Sequence, residues 1–142
     1  MDEDDFLEMV KDLQRKIEHE EESTYSQIVI REYRNPNNFG VLKNPDATGS
    51  IKGPCNDTMK ITLSIKDGII KDGRFWTDGC GATIACGNML IKIIKNISLN
   101  DALKISYEKL LNILGGLPDE HHHCSKLAID ILRKSLKEYK NK

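Results

Sequence analysis

The chain has 142 residues, four cysteines and four histidines, with 39% hydrophobic residues, 30% charged residues and a net charge of -1. This length suits one domain, since domains of roughly 100 to 150 residues are the commonest, and the composition excludes disordered and fibrous classes. No apolar run approaches the ~20 residues of a membrane span. No membrane partner is therefore predicted. The basic residues are spread without clustered aromatic residues, so no nucleic-acid partner is predicted either.

The first 22 residues are a distinct acidic segment, with ten acidic and three basic side chains. Four apolar residues within 4–20 recur at the spacing of one helical face: Phe6, Val10, Leu13 and Ile17. This pattern is typical of an amphipathic helix. We therefore predict an acidic, amphipathic helical extension at 1–22, with docking as its expected role, followed by one folded domain at 23–142.

A second helix is predicted to begin at Thr24, because Thr24 and Gln27 have the spacing of a capping box. It is predicted to end before Asn35 and Pro36, since proline disfavours helical geometry in the residue that precedes it. The following segment is rich in proline, asparagine and glycine, which favours a loop with one short edge strand at 47–51.

Apolar and polar side chains alternate over 59–66, which predicts a strand with one buried face. The Asp-Gly pair at 67–68 favours a tight hairpin turn. The returning strand is predicted at 69–77, with a bulge at 72–73.

The apolar period then changes to that of a helix over 82–96. Two short helices are predicted at 98–105 and 107–114, and a final helix follows Pro118. Strands come early and helices late, so the predicted fold class is α+β. It comprises a small antiparallel three-stranded meander packed with about five helices, plus the extra N-terminal helix.

The four cysteines are Cys55, Cys80, Cys86 and Cys124. The N-terminus has neither the basic start nor the apolar stretch of a secretory signal, so the cytoplasm is the expected compartment. Structural disulfides are rare there, which favours metal binding or thiol chemistry. Cysteine count alone does not exclude a packing role, because free cysteine is among the most buried residue types.

Cys80 lies in a Gly-Cys-Gly turn between a predicted strand and a predicted helix. Glycine lets the backbone approach a ligand closely, and a helix N-terminus stabilises a thiolate. A packing role for Cys80 explains neither glycine. The turn therefore predicts a cysteine that faces a metal or a sulfur electrophile.

Cys55 and Asp57 lie two residues apart, so in an extended segment their side chains share one side. His123 and Cys124 are neighbours near a helix start, where successive side chains diverge by ~100°. The side chains of His123 and Cys124 can therefore both bind one ion only if the helix end is frayed; otherwise they bind it in turn. The two histidines before His123 leave a surface role open for it. Thiolate, imidazole and carboxylate together suit a zinc or an iron-sulfur site.

Five segments together resemble the NifU/IscU-type scaffold family over residues 25–139. They are Tyr25-Ser26, Asn35-Pro36-Asn37-Asn38-Phe39-Gly40, Cys55-Asn56-Asp57, Gly79-Cys80-Gly81-Ala82 and His123-Cys124-Ser125. The order of these segments and the 43 residues between Cys80 and Cys124 also agree. The resemblance implies the fold of that family and a scaffold on which a transient 2Fe-2S cluster is built from iron and sulfur and passed to apo-proteins.

The same resemblance implies roles for five residues. Cys55, Cys80 and Cys124 would be the metal ligands and sulfur acceptors, and His123 an alternative ligand. Asp57 would keep the cluster labile, because a carboxylate is a harder and poorer partner for cluster iron than a thiolate. Cys86 has no counterpart among the family cysteines, and a packing role is predicted for it.

The implied partners are a cysteine desulfurase, apo iron-sulfur proteins and ferredoxin-like or frataxin-like proteins, with a homodimer left open. Residues 117–121 depart from the Leu-Pro-Pro-Val-Lys chaperone motif of bacterial members, which leaves chaperone-assisted release in doubt. The alternative function is a SufU-like, zinc-binding sulfur acceptor that activates a desulfurase, with zinc in the apo form. A hydrolytic zinc enzyme is disfavoured, because no glutamate lies beside the ligands as a general base. A last alternative, an interaction domain with inert cysteines, leaves the Gly-Cys-Gly turn unexplained. A scaffold performs no catalysis of its own, and no enzymatic activity is predicted.

Overall fold

The structure, a computed structural model, describes residues 2–54 and 56–141. The elements in chain order are α1 (Glu3–Thr24), α2 (Gln27–Arg34), β1 (Ala47–Lys52), β2 (Thr58–Lys66), β3 (Ile69–Thr77), α3 (Gly81–Ile94), α4 (Leu99–Leu103), α5 (Tyr107–Ile113) and α6 (His122–Lys140). A single 3-10 turn, Asp119–His121, leads into α6. None of the helices in these two ranges has the length and apolar character that crossing a membrane requires.

The three strands form an antiparallel meander in the order β1-β2-β3, as predicted. The turn between β2 and β3 has positive φ at Asp67 and Gly68, 55° and 74°, which the two-residue hairpin requires. The bulge lies at Lys71 and not at 72–73, because Ile65 pairs with Ile70 and the preceding residue of β2 pairs with Asp72. The extra residue keeps the apolar side chains on both sides of it facing the core.

Helices α3 and α6 cover one face of the sheet, and the core lies between these two layers. Backbone contact is close, since a Cβ at Gly49 of β1 would lie 2.9 Å from the carbonyl oxygen of Ile131 in α6. Glycine is therefore needed at this crossing. The largest fully buried side chains are Phe75, Met59, Ile61, Leu63, Ile70, Leu90, Ile91, Ile94, Leu110, Leu114, Ile129 and Ile131. Alternation along β2 thus predicted its buried face correctly.

A buried polar cluster joins α2 to α3 and positions the loop that follows α2. Glu32 is only 2% exposed and accepts hydrogen bonds from Asn88 Nδ2 at 3.1 Å and from Lys92 Nζ at 3.2 Å. Asn88 Oδ1 accepts from the backbone N–H of Asn38 at 2.9 Å. The Asn38 carbonyl in turn accepts from the N–H of Phe75 at 3.0 Å. A buried carboxylate needs such partners, and here they tie the loop to β3.

Several helix ends differ from the predicted positions, and the local cause is clear at the start of α2 and at the end of α3. Ser26, and not Thr24, caps α2, since its Oγ accepts from the N–H of Val29 at 3.1 Å. Thr24 is instead the last residue of α1, because the glutamates before it are good helix formers and extend that helix. Helix α3 ends at Ile94, because Asn96 adopts a left-handed φ of 67° that a helix cannot continue through.

Helix α1 contributes nothing to the core. None of its residues, all of which lie in the described part of the chain, is buried. Phe6 and Ile17 of the apolar stripe are 53% and 55% exposed. An ion pair between Glu21 at its C-terminal end and Arg34 of α2 attaches it to the domain. The predicted amphipathic helix is present, with its apolar stripe open to solvent.

Deletion of residues 2–20 is expected to change the free energy of unfolding of the remaining domain by less than about 0.5 kcal/mol, because surface changes away from buried contacts have effects of that size. Urea denaturation of the shortened and full chains measures this. The reference variant Ile129→Ala, at a position 1% exposed, is expected to lose about 2–5 kcal/mol. A comparable loss in the shortened chain would show that α1 packs on the domain.

Candidate functional site

Two of the predicted cysteines meet where the start of α3 packs against the start of α6. Cys80 is the residue that caps α3, and it is solvent-exposed. Cys124 lies in the first turn of α6 and is 1% exposed. His121, at the end of the 3-10 turn, joins them, and one ligand atom from each of the three residues lies within 4.8 Å of the other two.

Thr83 connects these sulfurs to the predicted carboxylate. Its Oγ1 lies 3.7 Å from Cys80 Sγ, 3.3 Å from Cys124 Sγ and 3.2 Å from Asp57 Oδ2. Thr83 is fully buried and stands three residues after Cys80 in α3, which places both on one helical face. The Thr83 hydroxyl is thus in contact with two cysteine sulfurs and one carboxylate oxygen.

The two glycines of the Gly-Cys-Gly turn lie in close contact with neighbouring side chains. A Cβ at Gly79 would lie 2.6 Å from Asp57 Oδ2 and 3.0 Å from Thr83 Cβ. A Cβ at Gly81 would lie 3.2 Å from the Tyr33 ring. Close approach was the predicted reason for these glycines. The groups that approach are side chains of the protein itself, Asp57, Thr83 and Tyr33.

Charge at the sulfur pair is divided unequally. The hydrogen bond from the Cys124 thiol lowers the pKa of Cys80 to about 4, and the nearby N–H groups of α3 act in the same direction against the cost of burial. The same hydrogen bond, together with burial, raises the pKa of Cys124. The backbone N–H groups at a helix N-terminus generally favour a thiolate, because they donate hydrogen bonds to the negative sulfur. At neutral pH the pair is therefore a Cys80 thiolate beside a protonated Cys124.

Alkylation of Cys80 by iodoacetamide is expected to proceed at a nearly constant rate from pH 6 to pH 8. A pKa of about 4 keeps Cys80 in the reactive thiolate form throughout this range. An ordinary cysteine, with a pKa of about 8.5, reacts roughly tenfold faster for each pH unit gained below that value. Mass spectrometry of the Cys80 peptide measures the rate, with glutathione as the reference thiol. A tenfold rise per pH unit at Cys80 would contradict the thiolate assignment.

An open pocket of about 490 Å³ lies in front of this cluster, with Asp57, Asp78, Gly79, Cys80, Glu120, His121 and His123 on its walls. Two buried side-chain atoms have no hydrogen-bond partner among the described residues, Asp57 Oδ1 and His121 Nδ1. Both belong to residues on the walls of this pocket. A buried polar atom without a partner costs about 1–3 kcal/mol, and coordination to a metal ion is one way in which such an atom is satisfied.

The predicted site residues fall into three groups. Asp57, Cys80 and Cys124 come from separated segments and meet at the Thr83 hydroxyl; their role as metal ligands stays a prediction. His123 is half-buried, lies on the pocket wall and places Nε2 3.6 Å from Cys124 Sγ. Cys55 lies outside the described residues.

Sequence reasoning missed two residues of the site. Thr83 could have been found from its i+3 relation to Cys80 on a predicted helix. His121 carries no such signal, because three adjacent histidines look alike in a sequence. Cys86 is fully buried in the core, and burial raises its pKa, as expected of a packing residue.

Comparison with known proteins gives consistent results. Residues 24–142 match the family model described as NifU-like N terminal domain. The iron-sulfur cluster assembly scaffold protein IscU 1 of Archaeoglobus fulgidus is 39% identical over 116 residues, which are 81% of this chain and 76% of that protein. The scaffold protein IscU of Escherichia coli K12 is 38% identical over 123 residues, 83% of this chain and 95% of that protein.

The crystal structure of a NifU-like protein (N-terminal) from Brucella abortus superposes with a TM-score of 0.66 at 18% sequence identity. The superposition covers 82% of this chain and 94% of that one. It confirms the predicted α+β fold, with one three-stranded antiparallel sheet and helices packed on it.

Proposed function

This chain belongs to the NifU-like N terminal domain family, and we propose on that basis that it is a scaffold on which iron-sulfur clusters are assembled. Relatives with 38% and 39% sequence identity are named iron-sulfur cluster assembly scaffold proteins. The observation that carries the proposal is the meeting of Cys80, Cys124 and Asp57 on the hydroxyl of Thr83. Two sulfurs and a carboxylate beside an open pocket suit iron that must enter and leave.

The cargo of this scaffold is proposed to be a 2Fe-2S cluster. Its ligands are drawn from Cys55, Cys80, Cys124 and Asp57, with His123 as an alternative to Cys124. Thiolates are the ligands that iron-sulfur clusters prefer, and the carboxylate is the weaker donor. The exposure of Cys80 and the open pocket give the cluster a route to an acceptor protein.

Sulfur is proposed to arrive as a persulfide on a cysteine desulfurase. A scaffold thiolate attacks the terminal sulfur of that persulfide, the sulfur-sulfur bond breaks, and the desulfurase cysteine leaves as a thiolate. The three acceptor cysteines are Cys124, Cys80 and Cys55. Each sulfur so received needs two electrons to become a cluster sulfide, which a ferredoxin-like partner would supply.

The remaining partners are apo iron-sulfur proteins, which receive the cluster, and frataxin-like proteins. Residues 23–142 form the proposed scaffold domain, and residues 1–22 a separate acidic extension that docks on a protein partner. The exposed apolar stripe of α1 supports this division, because Phe6 and Ile17 are more than half exposed.

Anaerobic reconstitution tests the function. The full chain is mixed with ferrous iron, cysteine, a reductant and a cysteine desulfurase. We expect visible charge-transfer absorption, a 2Fe-2S Mössbauer signature and transfer of the cluster to an apo-ferredoxin. If the chain instead holds zinc and accepts sulfur but never takes up iron, the alternative of a zinc-binding sulfur acceptor is correct and the scaffold proposal is wrong.

A further inference from the structure

The hydroxyl of Thr83 lies in the middle of the site, in contact with both cysteine sulfurs and with the carboxylate of Asp57. We propose that Thr83 is a positioning residue for cluster release: its hydroxyl holds Oδ2 of Asp57 and so fixes where the other oxygen, Oδ1, is presented to iron. This inference rests on the proposed function and adds to it a residue that controls how readily the cluster leaves. Thr83 itself is assigned no bond to iron.

The hydrogen bond to Asp57 has a defined direction. A hydroxyl has one proton to donate, and Thr83 Oγ1 donates to Asp57 Oδ2 at 3.2 Å. Thr83 is fully buried, so bulk water does not compete for this proton. The bond therefore fixes the direction of Oδ2.

Backbone encloses the same carboxylate on two sides. A Cβ at Gly79 would lie 2.6 Å from Asp57 Oδ2, and a Cβ at Gly53 would lie 3.2 Å from Asp57 Oδ1. The N–H of Gly53 also donates to the Asp57 carbonyl at 2.7 Å. Because packing this close leaves little free space, the carboxylate has little room to rotate while it accepts from Thr83.

Oδ1 is the oxygen of Asp57 that is left for iron. It is buried and has no hydrogen-bond partner among the described residues, whereas Oδ2 accepts from Thr83. Asp57 also lies on the wall of the open pocket in front of the cysteine pair. A carboxylate held in this way binds iron through one oxygen, which is a poorer partner for cluster iron than sulfur. Thr83 thus keeps Asp57 in the arrangement from which the cluster is released.

The same hydroxyl relates the carboxylate to the sulfurs. Oγ1 lies 3.3 Å from Cys124 Sγ and 3.7 Å from Cys80 Sγ. Thr83 stands three residues after Cys80, on the same face of α3, whereas Asp57 directly precedes β2. The position of Asp57 relative to the sulfurs is therefore set from α3, and removal of the hydroxyl uncouples the two.

Cluster release from variants at position 83 tests the proposal. Clusters are assembled anaerobically on the full chain, and the decay of visible absorption is followed after addition of a chelator. Thr83→Val keeps the size and β-branching but removes the hydroxyl, and it is expected to slow release about tenfold, as changes beside a metal ligand do. Thr83→Ser keeps a hydroxyl and is expected to restore the wild-type rate.

Thr62→Val is the matched control for loss of a buried hydroxyl. Thr62 is 1% exposed, and its Oγ1 accepts from the N–H of Leu42 at 3.0 Å. This variant is expected to release the cluster at the wild-type rate. Equal slowing in Thr62→Val and Thr83→Val, or a wild-type rate in folded Thr83→Val, would overturn the proposal.

A double variant separates an action through Asp57 from an action on the sulfurs. In the Asp57→Ala background, Thr83→Val is expected to change the release rate by less than about twofold, because the two changes remove one shared contact and are not additive. A further slowing as large as that seen with Asp57 present would show that Thr83 acts elsewhere, which contradicts the proposal.

The contact itself is measured in the protein without iron or sulfide. In apo wild type with ¹³C-labelled aspartate, we expect a Thr83 hydroxyl proton that exchanges slowly with water. We also expect an Asp57 carboxylate ¹³C resonance that shifts in Thr83→Val but not in Thr83→Ser. The wild-type spectrum decides the contact even if Thr83→Val fails to fold.

The two kinds of failure are distinguishable. A fast-exchanging hydroxyl proton with no carboxylate shift would overturn the positioning role and leave the scaffold function standing. A confirmed contact in a wild-type chain that assembles no cluster would refute the scaffold function, and with it the role of Thr83 in release.

Discussion

Replacement of Asp57 by alanine is expected to slow the loss of an assembled cluster to an apo-acceptor or a chelator by about tenfold or more, the scale on which a change of metal contact acts. Asp57 is linked to the cysteine pair by Thr83, whose hydroxyl oxygen lies 3.2 Å from Asp57 Oδ2. The carboxylate of Asp57 offers an oxygen donor. An oxygen bound to cluster iron is exchanged more readily than sulfur. Without the carboxylate, the cluster keeps its sulfur ligands and lacks the bond that opens first.

The measurement is the decay of visible absorption after addition of a chelator, for clusters assembled on wild type and on Asp57→Ala. Glu120→Ala is the matched control, because it removes one negative charge from the wall of the same pocket without touching the cysteine pair. Equal slowing in both variants would mean that pocket charge, and not the Asp57 oxygen, governs release. Faster loss from Asp57→Ala would show that the carboxylate retains the cluster.

Replacement of Cys80 by serine is expected to lower cluster yield by at least about tenfold, since changes next to a metal site already cost 10- to 100-fold in affinity. Serine keeps the size and a hydroxyl that can accept the hydrogen bond from Cys124. It lacks the thiolate that the turn and the helix N-terminus stabilise. Iron and acid-labile sulfide contents after anaerobic reconstitution give the yield.

Cys86→Ala is the matched control for this loss. Cys86 lies six residues further along the same helix and is fully buried in the core. Its replacement removes one small buried group at a cost of roughly 1 kcal/mol of stability and is expected to leave cluster yield unchanged. A wild-type yield in Cys80→Ser would contradict the assignment of Cys80 as a ligand. A lost yield in folded Cys86→Ala would contradict the packing role of that residue.

Local patterns in the sequence predicted the elements that are dictated by local physics. Strand β2 was predicted from strict alternation and β3 from its hairpin turn, because side-chain period and turn geometry act over a few residues. The prediction for the start of α2 was wrong for a related reason. Thr24 and Ser26 are both suitable caps, and the choice depended on how far α1 extended.

The chemistry of the site was also visible in the sequence. The Gly-Cys-Gly turn, the carboxylate at position 57 and the cysteine at position 124 each indicated a metal or sulfur role from residue type and spacing. Residue type determines what a side chain can bind. The sequence therefore determined which donor groups the proposed site can offer, namely thiolate, carboxylate and imidazole, and which separated segments supply them.

Only the tertiary structure decided which atoms meet. Packing of α3 against α6 placed the Thr83 hydroxyl between Cys80 and Cys124, and the same packing turned His121 toward the sulfurs. Three adjacent histidines are equivalent in a sequence, and they become different when each ring finds its own neighbours: Tyr25 for His121, the Leu117 carbonyl for His122 and Cys124 for His123. The contacts of His121 with Tyr25 and of Thr83 with Cys124 join residues 96 and 41 positions apart. They depend on the whole fold, and no local period encodes them.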